Sequence, residues 1–468
     1  GEWGFDGILM SDWGCVFSDN AAINGLDMEM GSNSWLIREK IIPLLESGKI
    51  DTAAIDDKAR RIYTACMRTG FFDRPQKVDS IPLFNAEANA LAYKAATEGV
   101  VMLKNDGILP LDKEKVKKIA VIGPNAASAI ISDSMHDTEF ITYGGGGSSR
   151  VHPWYVVSPL EGIMREFPDA EILFAEGIAS ALKQKSFKKG NFFHEDGQYG
   201  LKGKYADGRT GEGKSFVETD YTVDFEWAAL PPAWDFGEYF KAEWTGYVVP
   251  DKDGKIIFFL DAQGGCRLEL DGETVVDMVQ NPSYLSEIIT VEAKEGEKIP
   301  LKLEYFNNRC LASEVRLGYI HESEVDFSEA LKAAEEADVT IFCGGLNGHV
   351  EKEGRDRPFE LGYGQDELIG QLSSVTDALV VVLNAGGGVR MSEWVDKVPA
   401  ILHAFYPGQE GGRAIASILS GKVNPSAKLP FSIEREWEDS PAAPYYDQDR
   451  ESRKVHYTEG IFMGYRGY

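Results

Sequence analysis

Positive charge is scarce in this chain: 48 Lys and Arg stand against 75 Asp and Glu in 468 residues, a formal net charge of −27. Phosphate backbones and anionic membrane surfaces are bound through Lys and Arg clusters, so the balance argues against nucleic acid and membrane partners and favours a neutral substrate. No run of about 18 apolar residues occurs, so a transmembrane helix is not expected. Cysteine is sparse and scattered. The five residues, Cys15, Cys66, Cys266, Cys310 and Cys343, are odd in number and form no C-x-x-C pair. Neither a disulfide framework nor a zinc site is supported. Most read as small buried residues, with a Cys266–Cys310 bridge left open. His136, His349 and His403 are too dispersed for a metal site. Also missing are an initiator Met, a signal peptide and a targeting segment, since residue one is Gly. The expectation is part of a longer polypeptide, with localisation unassigned.

Core-forming material, by contrast, is ample. Apolar residues make up 43%, with 9 Trp, 24 Phe and 19 Tyr, which excludes a disordered chain. The length suggests roughly three domains. Near the start, Gly7 to Met10 reads as a short buried strand that ends abruptly in Ser11-Asp12-Trp13. A carboxylate at the C-terminal end of a buried parallel strand sits where α/β barrels place their chemistry. By itself, an Asp there is first of all the N-cap of a following helix. Trp13 offers a flat apolar face, suited to a sugar ring or to core packing. A second apolar segment, Gly25 to Gly31, and amphipathic helices at Ser34–Ser47 and Asp51 to about Arg68 follow. These βα-like units fit the last two of eight in a barrel.

From about residue 85 helices and short apolar strands alternate. Strands are predicted at Lys118–Pro124, Val339–Gly345, Ala378–Leu383 and Ala400–Phe405, with helices at Ala86–Val100, Ser328–Ala337 and Gln365–Ser374. This is the pattern of a doubly wound α/β domain. It is interrupted over roughly 180–322 by a stretch rich in aromatic and β-branched residues, with turns at Asp207-Gly208, Asp253-Gly254 and Asp271-Gly272. Such spacing predicts a β-sandwich.

The loop after strand 339–345 carries Glu351-Lys352-Glu353-Gly354-Arg355-Asp356-Arg357. Ligands bind in loops at this end of open α/β sheets, although charge alone reads as a solvated loop. A glycosidase needs one ionised carboxylate and one protonated carboxyl facing each other across the scissile bond. Asp12 and a glutamate of this loop could form such a pair. Further segments are Gly25-Leu26-Asp27-Met28-Glu29-Met30, Glu98 to Asn105, Gly144 to Ser149, Ser158 to Gly162, Tyr406 to Gly412 and Asn424 to Pro430. In this order, and over nearly the whole chain, they resemble glycoside hydrolase family 3, specifically its β-glucosidases.

The resemblance implies a retaining mechanism without metal or cofactor. Asp12, in Ser-Asp-Trp, would be the nucleophile, and Glu353, in Glu-Gly-x-Asp-Arg, the acid/base. Glu351 is the runner-up, because spacing cannot choose between two glutamates of one loop. Nearness to the Asp12 anion and partial burial should keep Glu353 protonated, while hydrogen bonds keep Asp12 ionised. Trp13 would contact substrate, and Asp356 and Arg357 would brace the loop. The Gly144–Ser149 run lacks the Lys-Ser/Thr ending of a phosphate loop and matches an interdomain loop.

The implied α/β architecture is the C-terminal remnant of a (β/α)8 barrel over 1–80, then an α/β sandwich domain over 85–179 and 323–435. Residues 180–322 would be an inserted protective-antigen-like β-sandwich and 436–468 an extension leading to a fibronectin-like domain. The insertion would overhang the pocket and restrict aglycone length, and Asp261-Ala262-Gln263-Gly264 departs from the paired aspartates of calcium-binding relatives. Expected substrates are β-glucoside oligosaccharides or aryl glucosides; alternatives are a β-xylosidase or a non-catalytic carbohydrate-binding protein. The sugar-holding groups of the earlier barrel units are not in the sequence. The chain by itself is therefore expected to be weakly active or inactive, with a complementary barrel segment or a second copy as its partner.

Overall fold

The computed structural model describes residues 4–31, 34–82, 85–127, 144, 151, 153–178, 192–227, 234–236, 239–279, 284–307, 313–348, 350–351, 353, 357–446, 454 and 456–468. Expectations placed on His136, His349, Cys310, Asp356 and residues 145–149 lie outside them. The chain divides into two compact units, Gly1–Asn85 and Ala86–Tyr468.

In the first unit β1 (Met10–Trp13) pairs in parallel with β2 (Met28–Met30), with α1 (Asn20–Ile23) between them and α2 (Arg38–Glu46) and α3 (Thr52–Arg68) after. The strand expected at Gly7–Met10 is thus shifted, and Asp12 and Trp13 lie within it rather than beyond it. Leu9 and Met10 are exposed, not buried. Side chains hold this segment where the ladder cannot. The buried Asp27 carboxylate accepts the Leu9 N–H at 2.8 Å, and Ser11 Oγ accepts the Met30 N–H at 2.9 Å, across a register irregularity. Helix α2 starts later than its apolar pattern because Glu29 accepts the N–H groups of Ser34, Trp35 and Leu36 at 3.0, 2.8 and 2.7 Å. Donors that a helix start would leave unpaired are satisfied in a bend. Asp51 caps α3 as expected, accepting from Ala54 at 2.8 Å. From α3, Arg61 donates to the carbonyls of Phe5 and Gly7, and Lys58 to that of Leu26. The apolar core is small: Ala22, Leu44 and Ile50.

The second unit begins with α4 (Ala86–Gly99), β3 (Val101–Asn105), β4 (Lys118–Ile122), α5 (Pro159–Glu166) and β5 (Glu171–Ala175). An all-β excursion follows: β6 (Phe192–Phe193), β7 (Leu201–Asp207), β8 (Ser215–Asp220), β9 (Val223–Trp227), β10 (Phe240–Val248), β11 (Gly254–Gln263), β12 (Gly265–Leu270), β13 (Glu273–Asp277), β14 (Tyr284–Ala293), β15 (Ile299–Phe306) and β16 (Ser313–His321). The chain returns through α6 (Ser328–Glu336), β17 (Val339–Gly345), α7 (Gln365–Val375), β18 (Leu379–Asn384), β19 (Ala400–His403) and α8 (Gly411–Leu419).

Strands from both sides of the excursion share one sheet, ordered β3-β19-β18-β17-β4-β5, parallel except for β3 against β19. Residues of β17, β18 and β19 are buried throughout, as largely apolar strands are when both faces of a sheet are covered. The excursion forms two antiparallel sheets, one ordered β13-β12-β15-β10-β7-β8 with β6 on β10, the other β14-β11-β16-β9. Trp244, Leu268 and Leu303 of the first pack with Phe258, Leu260 and Leu317 of the second in one core. The turn at Asp271-Gly272 has φ of 50° and 79°, which suits a two-residue hairpin connection. Ile178 and Phe327, flanking the excursion, are buried in the same cluster of the α/β sheet.

Cys266 and Cys343 are buried, and burial pushes both thiols up to about 12. Cys15 is exposed and Cys66 half-buried, against the expectation of mostly buried cysteines; both lie in the first unit, whose core is too small to enclose them.

Helices α5 and α8 meet through glycine. A Cβ at Gly162 would lie 2.1 Å from the Gly412 carbonyl oxygen, and one at Gly412 would lie 2.0 Å from that of Ser158. Backbone cannot yield as a side chain can. Gly412→Ala should therefore cost about 3 kcal/mol, read as a lowered urea midpoint with unchanged slope.

Candidate active site

The two sequence-predicted carboxylates belong to different units. Asp12 lies on β1 and is exposed. Its Oδ1 accepts the N–H of Trp13 at 2.7 Å, which orients the carboxylate. Trp13 is 63% exposed, so it is no core residue of its unit. Its ring lies over Gly31, where an added Cβ would come within 2.4 Å of Trp13 Cδ1. Only glycine leaves the indole room to sit there.

In the second unit the sheet changes direction between β4 and β17: β5 lies to one side, and β17, β18 and β19 succeed each other on the other. The crevice at the carboxyl ends of such strands is where open α/β sheets bind ligands. The loop bearing Glu351 and Glu353 leaves β17 there. Its root is fixed by Gln365, whose amide oxygen accepts the Gly345 N–H at 2.8 Å and whose amide nitrogen donates to the Gly345 carbonyl at 2.9 Å. Gly345 itself has φ +115°, and a Cβ there would meet the Asn384 carbonyl oxygen at 2.1 Å.

The two glutamates part company in their surroundings. Glu351 is engaged at both oxygens. Oε1 faces Arg357 Nε at 2.6 Å, while Oε2 accepts the Tyr406 hydroxyl at 2.5 Å and the Gly386 N–H at 2.7 Å. Arg357 also donates to the Gly388 carbonyl at 2.7 Å. Glu351 thereby ties the loop after β17 to those after β18 and β19. Glu353 lies in a turn and is exposed, not partly buried as expected. Arg357 braces the loop, as read from sequence. Tyr406, Gly386 and Gln365 were not foreseen as site residues; a tyrosine just after a strand, at the head of Pro-Gly, was the available signal.

A polar chain backs this loop. Asn125, after β4, donates to the Leu346 carbonyl at 3.3 Å and to Asn384 Oδ1 at 3.4 Å, and Asn384 donates to the Phe405 carbonyl at 2.9 Å. Buried His403, at the end of β19, has neither ring nitrogen hydrogen-bonded among the described residues. Burial, with the nearby Arg357 charge, lowers its pKa to about 4. Between that value and the ordinary 6.5 the unfolded chain takes up a proton that the folded chain refuses, so stability falls as pH falls through this window. His403 should remove about 2 kcal/mol between pH 7 and pH 5. His403→Leu should flatten that dependence, measured by urea unfolding at both pH values.

Among the described residues no cluster of His, Cys, Asp and Glu could hold a metal ion, and no helix is long and apolar enough to cross a membrane. Asp261, in the stretch compared with calcium-binding domains, lies opposite Arg316 in the β11–β16 register. Arg316 also pairs with Asp224 at 2.8 Å and Glu314 at 2.6 Å, so the charge there is met by a guanidinium.

Residues 100–465 match the model of the glycosyl hydrolase family 3 C-terminal domain. The chain belongs to glycosyl hydrolase family 3. Among curated proteins, this family 3 chain is 34% identical over 495 residues to a β-glucosidase of Rhizobium radiobacter, covering 99% of itself and 57% of that protein. It is 30% identical to β-glucosidase B of Emericella nidulans, covering 100% of itself and 57% of the relative. Among solved structures, a Kluyveromyces marxianus β-glucosidase in complex with glucose aligns with a TM-score of 0.61 at 28% identity, over 99% of this chain and 57% of that one. A Streptomyces venezuelae β-glucosidase in complex with D-glucose aligns at 0.67 and 25% identity, over 100% and 55%. The chain thus spans 57% of the length of these curated relatives. Within the matched residues 100–465 lie the Gly162–Gly412 helix contact and the Tyr406–Glu351 bond.

Proposed function

We propose that this chain supplies both reacting carboxyls of a retaining β-glucosidase, with Asp12 as nucleophile and Glu353 as acid/base. Asp12 attacks the anomeric carbon through Oδ2 while Glu353 protonates the departing glycosidic oxygen. The resulting glycosyl ester is hydrolysed by water that the Glu353 carboxylate deprotonates, which returns Asp12 and retains the anomeric configuration. This chemistry requires the two carboxyl groups to stand about 5–5.5 Å apart. Trp13 lies against the sugar. Glu351 is a brace: to deliver a proton it would have to surrender Arg357, Tyr406 and Gly386.

Within this reading 1–80 is the C-terminal part of a (β/α)8 barrel and 85–179 with 323–435 the α/β sandwich domain. Residues 180–322 are an inserted protective-antigen-like sandwich that limits the aglycone, and 436–468 an extension. Substrates are β-glucoside oligosaccharides or aryl β-glucosides. The observation that carries the reading is the membership in family 3 of a chain whose β-glucosidase relatives align over 99% and 100% of it. The test is turnover of an aryl β-glucoside by the full-length product of the gene, with Asp12→Gly as its control.

A further inference from the structure

We infer that Tyr406 is a positioning residue for the acid/base loop, acting through Glu351; this rests on the assignment of Glu353 above. Tyr406 follows Phe405, whose φ of 50° falls in the left-handed region that large side chains rarely enter. Neighbours impose that conformation. Asn384 donates to the Phe405 carbonyl at 2.9 Å, and the ring packs against His403 with centroids 4.3 Å apart. Such backbone persists where its surroundings over-determine it, commonly at functional sites. The effect is local and directional: the chain turns sharply after β19, and the next side chain points its hydroxyl at Glu351 Oε2, 2.5 Å away.

Burial, reinforced by the Glu351 carboxylate, pushes the Tyr406 phenol well above its usual range, so it remains a donor at every working pH. Glu351 is anchored in turn by Arg357 and the Gly386 N–H. The amides of Val350 and Glu351 donate to the Asn347 carbonyl at 3.0 and 2.9 Å. Two residues beyond this anchored turn stands Glu353. The hydroxyl of Tyr406 therefore fixes, at one remove, where a proton is offered to the leaving group, without touching substrate.

The test is Tyr406→Phe, which keeps the ring and removes one oxygen. In the full-length product, kcat/KM should fall about tenfold for an alkyl β-glucoside, whose poor leaving group needs protonation. It should change less than about twofold for 2,4-dinitrophenyl β-glucoside, which leaves without help. Equal losses on both substrates, or none on either, overturn the proposal. A wild-type protein that hydrolyses neither substrate overturns the β-glucosidase reading instead. Hydrogen exchange of the 468-residue chain separates the cases. The Val350 and Glu351 amides should exchange about tenfold faster in the variant, with the β17 amides unchanged; unaltered protection of the two loop amides sinks the positioning role whatever the kinetics.

Discussion

Asp12→Gly should lower turnover of an aryl β-glucoside by at least about a thousandfold and leave thermal stability unchanged. The carboxylate is exposed and its hydrogen bond reaches only the next residue's N–H, so little folding energy depends on it. On the proposed mechanism, losing this nucleophile removes the covalent intermediate, and with it the first of two displacements. Added azide should then restore reaction by a single displacement and give the α-glucosyl azide. The wild type should give β-configured products, as two displacements require. An Asp12→Gly protein with ordinary turnover would falsify the nucleophile assignment. A wild type that binds glucosides without hydrolysing them would instead support a carbohydrate-binding protein.

The second large effect separates the paired glutamates of the β17 loop. Glu353→Gln should cost about a hundredfold or more in kcat/KM on substrates with poor leaving groups. It should also erase the alkaline limb of the pH–rate profile, because the variant has no proton to lose. Its melting temperature should move little, since the residue is exposed and surface contacts are worth about 1 kcal/mol or less. Glu351→Gln should do the reverse. The alkaline limb survives, but the Arg357 guanidinium, whose side chain is 22% exposed, loses its charged partner, at a cost of about 1–3 kcal/mol. Should Glu351→Gln abolish the alkaline limb while Glu353→Gln keeps it, the two roles must be exchanged.

What could be read from the chain itself depended on how local the determining contacts are. Helix α3 announces itself through Asp51 and its apolar spacing, and the cap is there. Strands β17, β18 and β19 are largely apolar runs, and their burial follows from covering both faces. Elements decided by distant side chains were misplaced. Neither the late start of α2 nor the shift of β1 is visible without knowing where Glu29 and Asp27 point. The same limit applies to the candidate site. Glu351 and Glu353 are two residues apart and chemically alike. What distinguishes them arrives from Gly386 and Tyr406, 35 and 55 positions further along the chain. Spacing along one loop carries no trace of that choice.

The all-β excursion between β5 and β17 bears on how the molecule assembles. Strands β4 and β17 are neighbours in the finished sheet, yet all of β6 through β16 is threaded between them. Closing a flexible loop of roughly 150 residues costs about 4 kcal/mol in chain entropy. If those strands collapse first into their own core, that penalty is discharged early. Ile178 and Phe327 are then delivered together to the cluster they share in the mature fold. In that order of events the excursion acts as a splint for the α/β sheet, and variants that slow its collapse should trap nascent chains with the sheet half built.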